Sequence, residues 1–323
     1  MPGIIHTRHF FYTTTLKKFN PNFTLSQKKC WDQLVLIKKY MKKGLLIIGI
    51  FLSVTSSAQK KQSVSFAKNL SLKKGQQIII TTTATQSAEM TMGMGMKSAS
   101  TTVNKITVLD GGEKDYKVSG TLTKMLLTSD MMGQQINFDS EKKEDRDSEF
   151  GKTASAPLDK IKILIVNKIT GTAVLLQPDT VSVDKDTNPL AGMMGAVLSG
   201  NDAAIVSSAF FIIPASKKAG DKWTDSLNSE GIKTVNIYSI ESIEQNIVTI
   251  ALNTIITGNT SIEAQGTTFN VTMNSTGSGK IVVDSNSFLV KKRTTNADIN
   301  STIEMMGQSV PVTGTATTTS IYE

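Results

Sequence analysis

The chain has 323 residues, with 35 Lys and Arg against 27 Asp and Glu, two His and one Cys. Nine of the basic residues but only one of the acidic ones, Asp32, fall in residues 1–58, so the rest carries 26 of each and no net charge, which removes the basic footprint of a nucleic-acid binder. His6, His9 and Cys30 also precede residue 59, so beyond it thiol nucleophiles, His general bases and Cys/His metal sites are excluded.

Residues 1–40 read as a gene-model artefact or a disordered extension, because an export address starts at Met41. Lys42 and Lys43 form a basic head, Gly44 to Val54 is an eleven-residue apolar run, and Ser56 and Ala58 are the small residues of a cleavage site. Residues 41–58 are therefore predicted to be a signal peptide. The run is shorter than the ~20 residues that span a bilayer, so no transmembrane segment is predicted. No Cys follows it, which argues against a lipid anchor. The expected product is a Cys-free, secreted chain from Gln59 to Glu323, periplasmic or extracellular.

Past residue 59, apolar and polar residues alternate with the strand period, as at Tyr116, Val118, Gly120 and Leu122, or at Val235 and Ile237. Further examples are Ile247, Thr249 and Ala251, and Phe269, Val271 and Met273. Asp110-Gly111-Gly112, Thr170-Gly171 and Asp284-Ser285-Asn286 read as turns. About a dozen antiparallel strands are expected, several longer than usual. Asn188-Pro189 and Asn201-Asp202 open two segments without that period, which predicts short helices at about 189–199 and 202–211.

An internal repeat is read from two near-equal offsets. Thr102-Val103-Asn104 returns as Thr234-Val235-Asn236, and Ser129–Phe138 resembles Ile262–Val271. Residues 163–176 and 280–292 both read as strand, turn, strand, and Ile303–Val312 is a third copy of the short motif. Each copy of that motif suits a β-hairpin with Gly near its tip. The predicted organisation is a first β half over 59–180, a helical insert over 181–215 and a second β half over 216–323.

Met90, Met92, Met94 and Met96 alternate, and further pairs stand at Met131-Met132, Met193-Met194 and Met305-Met306. In one strand alternating residues share a face. Three readings follow: core or hairpin-tip filling, an adaptable apolar surface for a lipid or peptide, or soft thioether ligands for Cu(I). Gly93 and Gly95 interrupt the Met and favour a tip.

Other motifs read more plainly. Residues 139–149, of mixed charge, suit a solvated loop. Asp184-Lys185-Asp186-Thr187-Asn188 starts like a calcium loop but has Pro189 and Gly195 where Gly and Glu are required, so Asx turns are expected. Gly277-Ser278-Gly279-Lys280 lacks the rest of a phosphate loop and reads as a turn. Trp223, the one Trp after residue 58, reads as a core anchor.

Lys73-Lys74-Gly75 before a long strand, Val103 to Gly112 with its Asp-Gly-Gly turn, MMGQQINFDS at 131–140, and Phe211-Ile212-Ile213-Pro214 followed by Gly220-Asp221-Lys222-Trp223 carry a resemblance. Over residues 68–323 the chain resembles an uncharacterised family of secreted bacterial proteins with a domain of unknown function. The resemblance implies an exported β-rich protein of unassigned activity and no functional residues.

The predicted fold is mainly β: two related antiparallel, long-stranded curved sheets, as a half-barrel or sandwich, with a short helical insert between them. The predicted function is non-enzymatic binding of an apolar or extended ligand, or a protein partner, on a sheet face or at hairpin tips. The candidate ligand-binding site is Met90, Met92, Met94, Met96, Met131, Met132, Met305 and Met306. The expected partner is an apolar small molecule, a lipid or an envelope protein, with no cofactor, resident metal or nucleic acid. The alternatives are a Met-thioether copper-handling protein and a purely structural envelope protein. A carboxylate enzyme acting on glycans is disfavoured by the scarcity of aromatics: five Tyr and two Trp in the whole chain.

Overall fold

The computed structural model describes residues 69–90, 94–131, 134–176, 202–215, 217–229, 231–264, 267–305 and 308–323. The predicted signal peptide, the predicted helix at 189–199 and the Asp184–Asn188 motif lie outside these residues.

Among the described residues, twelve strands form one open sheet, and every pairing between them is antiparallel. In chain order they are β1 (Gln77–Met90), β2 (Met94–Gly111), β3 (Asp115–Met131), β4 (Gln134–Asp139), β5 (Lys162–Asn167) and β6 (Ala173–Leu175). After the insert come β7 (Lys222–Ser229), β8 (Ile232–Glu244), β9 (Ile247–Ala264), β10 (Thr267–Asp284), β11 (Val290–Met305) and β12 (Gln308–Tyr322). The spatial order is β6-β5-β3-β2-β1-β12-β11-β10-β9-β8-β7, with β4 also on β3. The expectation of two sheets is thereby corrected. β1 and β12 pair from Ile80 opposite Tyr322 to Met90 opposite Val312, and this ladder fuses the halves. Thr, Val and Ile fill these strands because branched side chains suit a pleated surface.

The meander fixes two ends. The turns at 112–114, 245–246 and 285–289 lie at one end, here the base, together with Glu323. Five pairs of strand ends lie opposed at the other, tip end: Met90 and Met94, Met131 and Gln134, Ser229 and Ile232, Ala264 and Thr267, and Met305 and Gln308.

Directly opposed residues share a face of an antiparallel sheet. Ile80, Ile106, Val118 and Leu164 from the first half, with Tyr322, Ile281, Ile250 and Ile240 from the second, occupy one face and form a single core at the base. Helix α3 (Asp202–Ser208) and residues 209–212 complete it. Ser207 Oγ accepts from the Ala173 amide at 2.8 Å, and Tyr322 donates its hydroxyl to Ser208 Oγ at 3.1 Å. Lys162 pairs with Asp202 at the start of the same helix. The helix expected at 202–211 stops at Ser208 because the following backbone becomes a strand partner: the Phe211 amide bonds the Phe288 carbonyl at 3.0 Å.

Two sequence expectations are corrected locally. Residues 139–149 are not simply a loop, since they contain α1 (Lys143–Asp147) and the start of α2 (Glu149–Ala154). The Ser148 hydroxyl accepts from the Gly151 amide and caps α2, which seats Phe150 and Ala154 against Met125 and Phe138. Residues 277–280 are not a turn but the middle of β10. There Gly279 permits close strand contact, because a Cβ at that position would stand 2.2 Å from the Thr294 carbonyl oxygen.

Candidate functional site

Above the apolar base, the core face turns polar. Asp225, Asn236 and Thr254 are directly opposed across β7, β8 and β9. Thr254 donates to Asn236 Oδ1 at 2.8 Å, and Asn236 Nδ2 donates to Asp225 Oδ1 at 3.0 Å. Tyr238 donates its hydroxyl to the other Asp225 oxygen at 3.1 Å and stacks on Trp223 with ring centroids 5.2 Å apart. Burial pushes the Asp225 carboxyl above its ordinary range, more than its two hydrogen bonds pull it down. Burial first, and the neighbouring Asp225 charge second, push the Tyr238 phenol far upward, so it stays a donor.

The polar band continues over the central strands. Arg293 is opposed to the buried Ile281 on one side and to Ser320 on the other, which places it on the core face. Three buried polar atoms there have no hydrogen-bond partner among the described residues: Arg293 Nε, Thr318 Oγ1 and Gln86 Nε2. Thr318 also lines a cavity of about 30 Å³, with Thr254, Gly277, Thr295, Ala297 and Ala316 among others. Small residues on the middle strands make this hollow, since larger side chains would fill it.

Towards the tips the face is apolar again, with Ile256, Met273, Ile299, Ile303 and Val312 all buried. The candidate Met fall here. Backbone register sets Met90 opposite Met94 and Val312, and Met96 opposite Ala88 and Met131. Met96 is 7 % exposed and Met90 is half-buried. Met305 ends β11 two residues beyond Ile303, opposite Gln308. The topology thus brings the backbone positions of five of the eight candidates to one end of the sheet, whereas Met92, Met132 and Met306 lie outside the described residues. Gly95 does not break the arrangement; it sits within β2, opposite Glu89.

Sequence reasoning missed Met273, Arg293, Gln86 and Thr318. Met273 had a signal, alternating with Val271 in a strand pattern. The three polar residues had none, because their common face is set by pairings between distant segments.

Among the described residues, no group of three or more His, Cys, Asp or Glu could hold a metal ion. No helix among them is long and apolar enough to cross a membrane.

The chain belongs to a family of unknown function, DUF6263, matched over residues 113–290. That stretch runs from the β2–β3 turn to the first residue of β11, and so takes in the Asp225 network. No curated protein matches the chain. Among solved structures, it is similar to a chain from a structure of lipid–protein interactions in lipovitellin: 10 % identity, 78 % of this chain covered and a TM-score of 0.45. The likeness spans 25 % of the lipovitellin chain. It is also similar to OpdQ of Pseudomonas aeruginosa, at 4 % identity over 78 % of this chain and 99 % of the other, with a TM-score of 0.23. Neither score is high enough to equate the folds.

Proposed function

We propose that the chain is an exported, non-enzymatic protein that holds an apolar or extended ligand against the tip end of its core face. One observation carries the reading: register places Met90 opposite Met94 and Met96 opposite Met131, beside the aliphatic band of Ile299, Ile303 and Val312. Unbranched thioether side chains re-pack easily, so a Met-bordered band can admit ligands of irregular shape. Export rests on residues 41–58, with cleavage near Ala58 and a periplasmic or extracellular destination.

Titration of the Gln59–Glu323 chain with 1-aminoanthracene, a neutral apolar fluorophore, tests the reading. Saturable binding that Met90→Ser weakens supports it. Binding that Met→Ser changes at Met90, Met96 and Met305 all leave intact overturns it.

The same opposed Met positions favour a second reading, Cu(I) held by thioethers. Thioethers do not protonate, so this reading predicts Cu(I) binding that persists under acid conditions. Loss of Cu(I) on acidification would count against it.

A further inference from the structure

We infer that the ligand is an anionic single-chain amphiphile, a fatty-acid carboxylate, whose head group is received by Arg293, Thr318 and Gln86. This rests on the reading of the core face as a binding surface for an apolar ligand. The three residues lie on one diagonal across adjacent strands. Gln86 of β1 is opposite Ala316 of β12, Thr318 is two residues further along β12, and Arg293 of β11 is opposite Ser320, two further again. Diagonal neighbours of this kind are within reach of long side chains.

Each of the three presents a polar atom that is buried and without a partner among the described residues, namely Arg293 Nε, Thr318 Oγ1 and Gln86 Nε2. Buried polar groups in native proteins are nearly always paired, so three orphans on one diagonal mark a place where a polar group is missing. Two of them, Arg293 Nε and Gln86 Nε2, are obligate donors, and the Thr hydroxyl can donate. The missing group is therefore an acceptor. No Asp or Glu among the described residues forms an ion pair with Arg293, so the acceptor that completes its guanidinium is an anion. Asp225, the buried acid of the same face, is already engaged by Asn236 and Tyr238.

Of the three, Thr318 lines a hollow of about 30 Å³, which takes a group the size of one or two waters and so fits a carboxylate and not a bulky head group. One row nearer the tips than Gln86, the face is lined by Ala88 and Met96, with Ile256 and Ile299 on neighbouring strands. A free small anion has no use for that band. A carboxylate with an acyl chain satisfies the orphan donors with its head and covers the aliphatic and Met positions with its tail.

The test displaces 1-aminoanthracene from the Gln59–Glu323 chain with oleate, oleyl alcohol or acetate, in the wild type and in Arg293→Met. Oleate is expected to displace the probe, and Arg293→Met to weaken oleate about 10- to 100-fold while leaving oleyl alcohol unchanged, the span of a charge-assisted hydrogen bond. Arg293→Lys keeps the charge without the fork and is expected to fall between the two, which covers the case in which Arg293→Met does not fold. Oleate and oleyl alcohol competing equally in all three proteins overturns this inference and leaves the apolar-ligand reading standing. Acetate matching oleate overturns the amphiphile. Failure of the wild type to bind the probe at all overturns the apolar-ligand reading itself.

Discussion

Phe210 lies opposite Leu289 in an isolated antiparallel bridge. The bridge ties the segment after α3 to the β10–β11 turn, and flanking bonds reinforce it: the Val290 amide donates to the Ala209 carbonyl at 2.9 Å. Phe210 is fully buried among residues from both halves of the sheet. Phe210→Ala should therefore cost about 3–5 kcal/mol, through lost burial and a cavity that strands on both sides keep open. Urea unfolding should show a lower midpoint with an unchanged slope. A loss below about 1 kcal/mol would mean that the site collapses or that Phe210 is not a core element.

Tyr116 staples the segment before β1 to β3. Its hydroxyl accepts from the Leu72 amide at 3.0 Å and donates to the Leu70 carbonyl at 3.3 Å. The Lys168 ammonium lies 4.5 Å from the ring centroid, a contact that Phe would keep. Tyr116→Phe leaves a buried amide and carbonyl unpaired, a cost of about 1–3 kcal/mol. Hydrogen exchange at the Leu72 amide should accelerate more than exchange at the Ile106 amide in β2. Equal acceleration at both would show global destabilisation instead of a lost staple.

Gly258 has φ +148°, and a Cβ there would stand 2.2 Å from the Gly231 carbonyl oxygen. It is opposite Ile232 in β8 and Met273 in β10, in the tip half of the sheet. Ala would meet both backbone strain and a backbone collision, so Gly258→Ala should destabilise by roughly 2 kcal/mol or more. Gly75 also has positive φ, at +79°, but open space around it, and Gly75→Ala should cost less. A calorimetric comparison of the two variants that reverses this order would refute the close approach at Gly258.

The strands were legible because their period is local. The turns read at 170–171 and 284–286 were legible for the same reason, and the last proves to be held by Asp284, whereas the one read at 110–112 falls at 112–114, because Asp110 and Gly111 still pair with β3. The phase of β8 was not legible. Val235 and Ile237 draw attention as its apolar set, yet Thr234 and Asn236 are the residues buried in that stretch. A hydrogen-bond network with Thr254 and Asp225 permits this, and its members lie on three strands. The single sheet was illegible too, since Thr82 meets Ser320 from 238 residues away and no local pattern reports such a pairing. Of the candidate site, the Met were visible by composition, whereas Arg293 looks from sequence like any strand-borne cation beside Lys291 and Lys292.

Asp284 gives stability a pH dependence of known sign. Burial pushes its carboxyl up, but hydrogen bonds from Ser287, Asn286 and Asn246 together outweigh that and hold it below the ordinary range. The unfolded state therefore binds the proton more readily. The stabilisation is fully present above the usual carboxylate pKa of about 4 and is lost as pH falls through the lower folded value. Asp284→Asn should be less stable than wild type at pH 7, with the gap closing under acid conditions. Asp225, raised by burial, has the opposite sign, but it is common to both proteins and cancels in the difference. A gap that widens on acidification would contradict the hydrogen-bonded turn.

Met90 and Met96 separate stability from binding, because β1 and β2 bury them unequally. Met96 is 7 % exposed and sits between Ala88 and the Met131 position, so Met96→Ser removes core packing and should cost about 2–3 kcal/mol. Met90 is half-buried, nearer the tip, and Met90→Ser should change stability by less than about 1 kcal/mol. If the tip band receives an apolar ligand, Met90→Ser should weaken 1-aminoanthracene several-fold at nearly unchanged melting temperature. If the Met serve packing alone, loss of probe will follow loss of stability: Met96→Ser will lower both, and Met90→Ser neither. Measuring melting and probe affinity on the two variants therefore distinguishes a binding surface from a filled core.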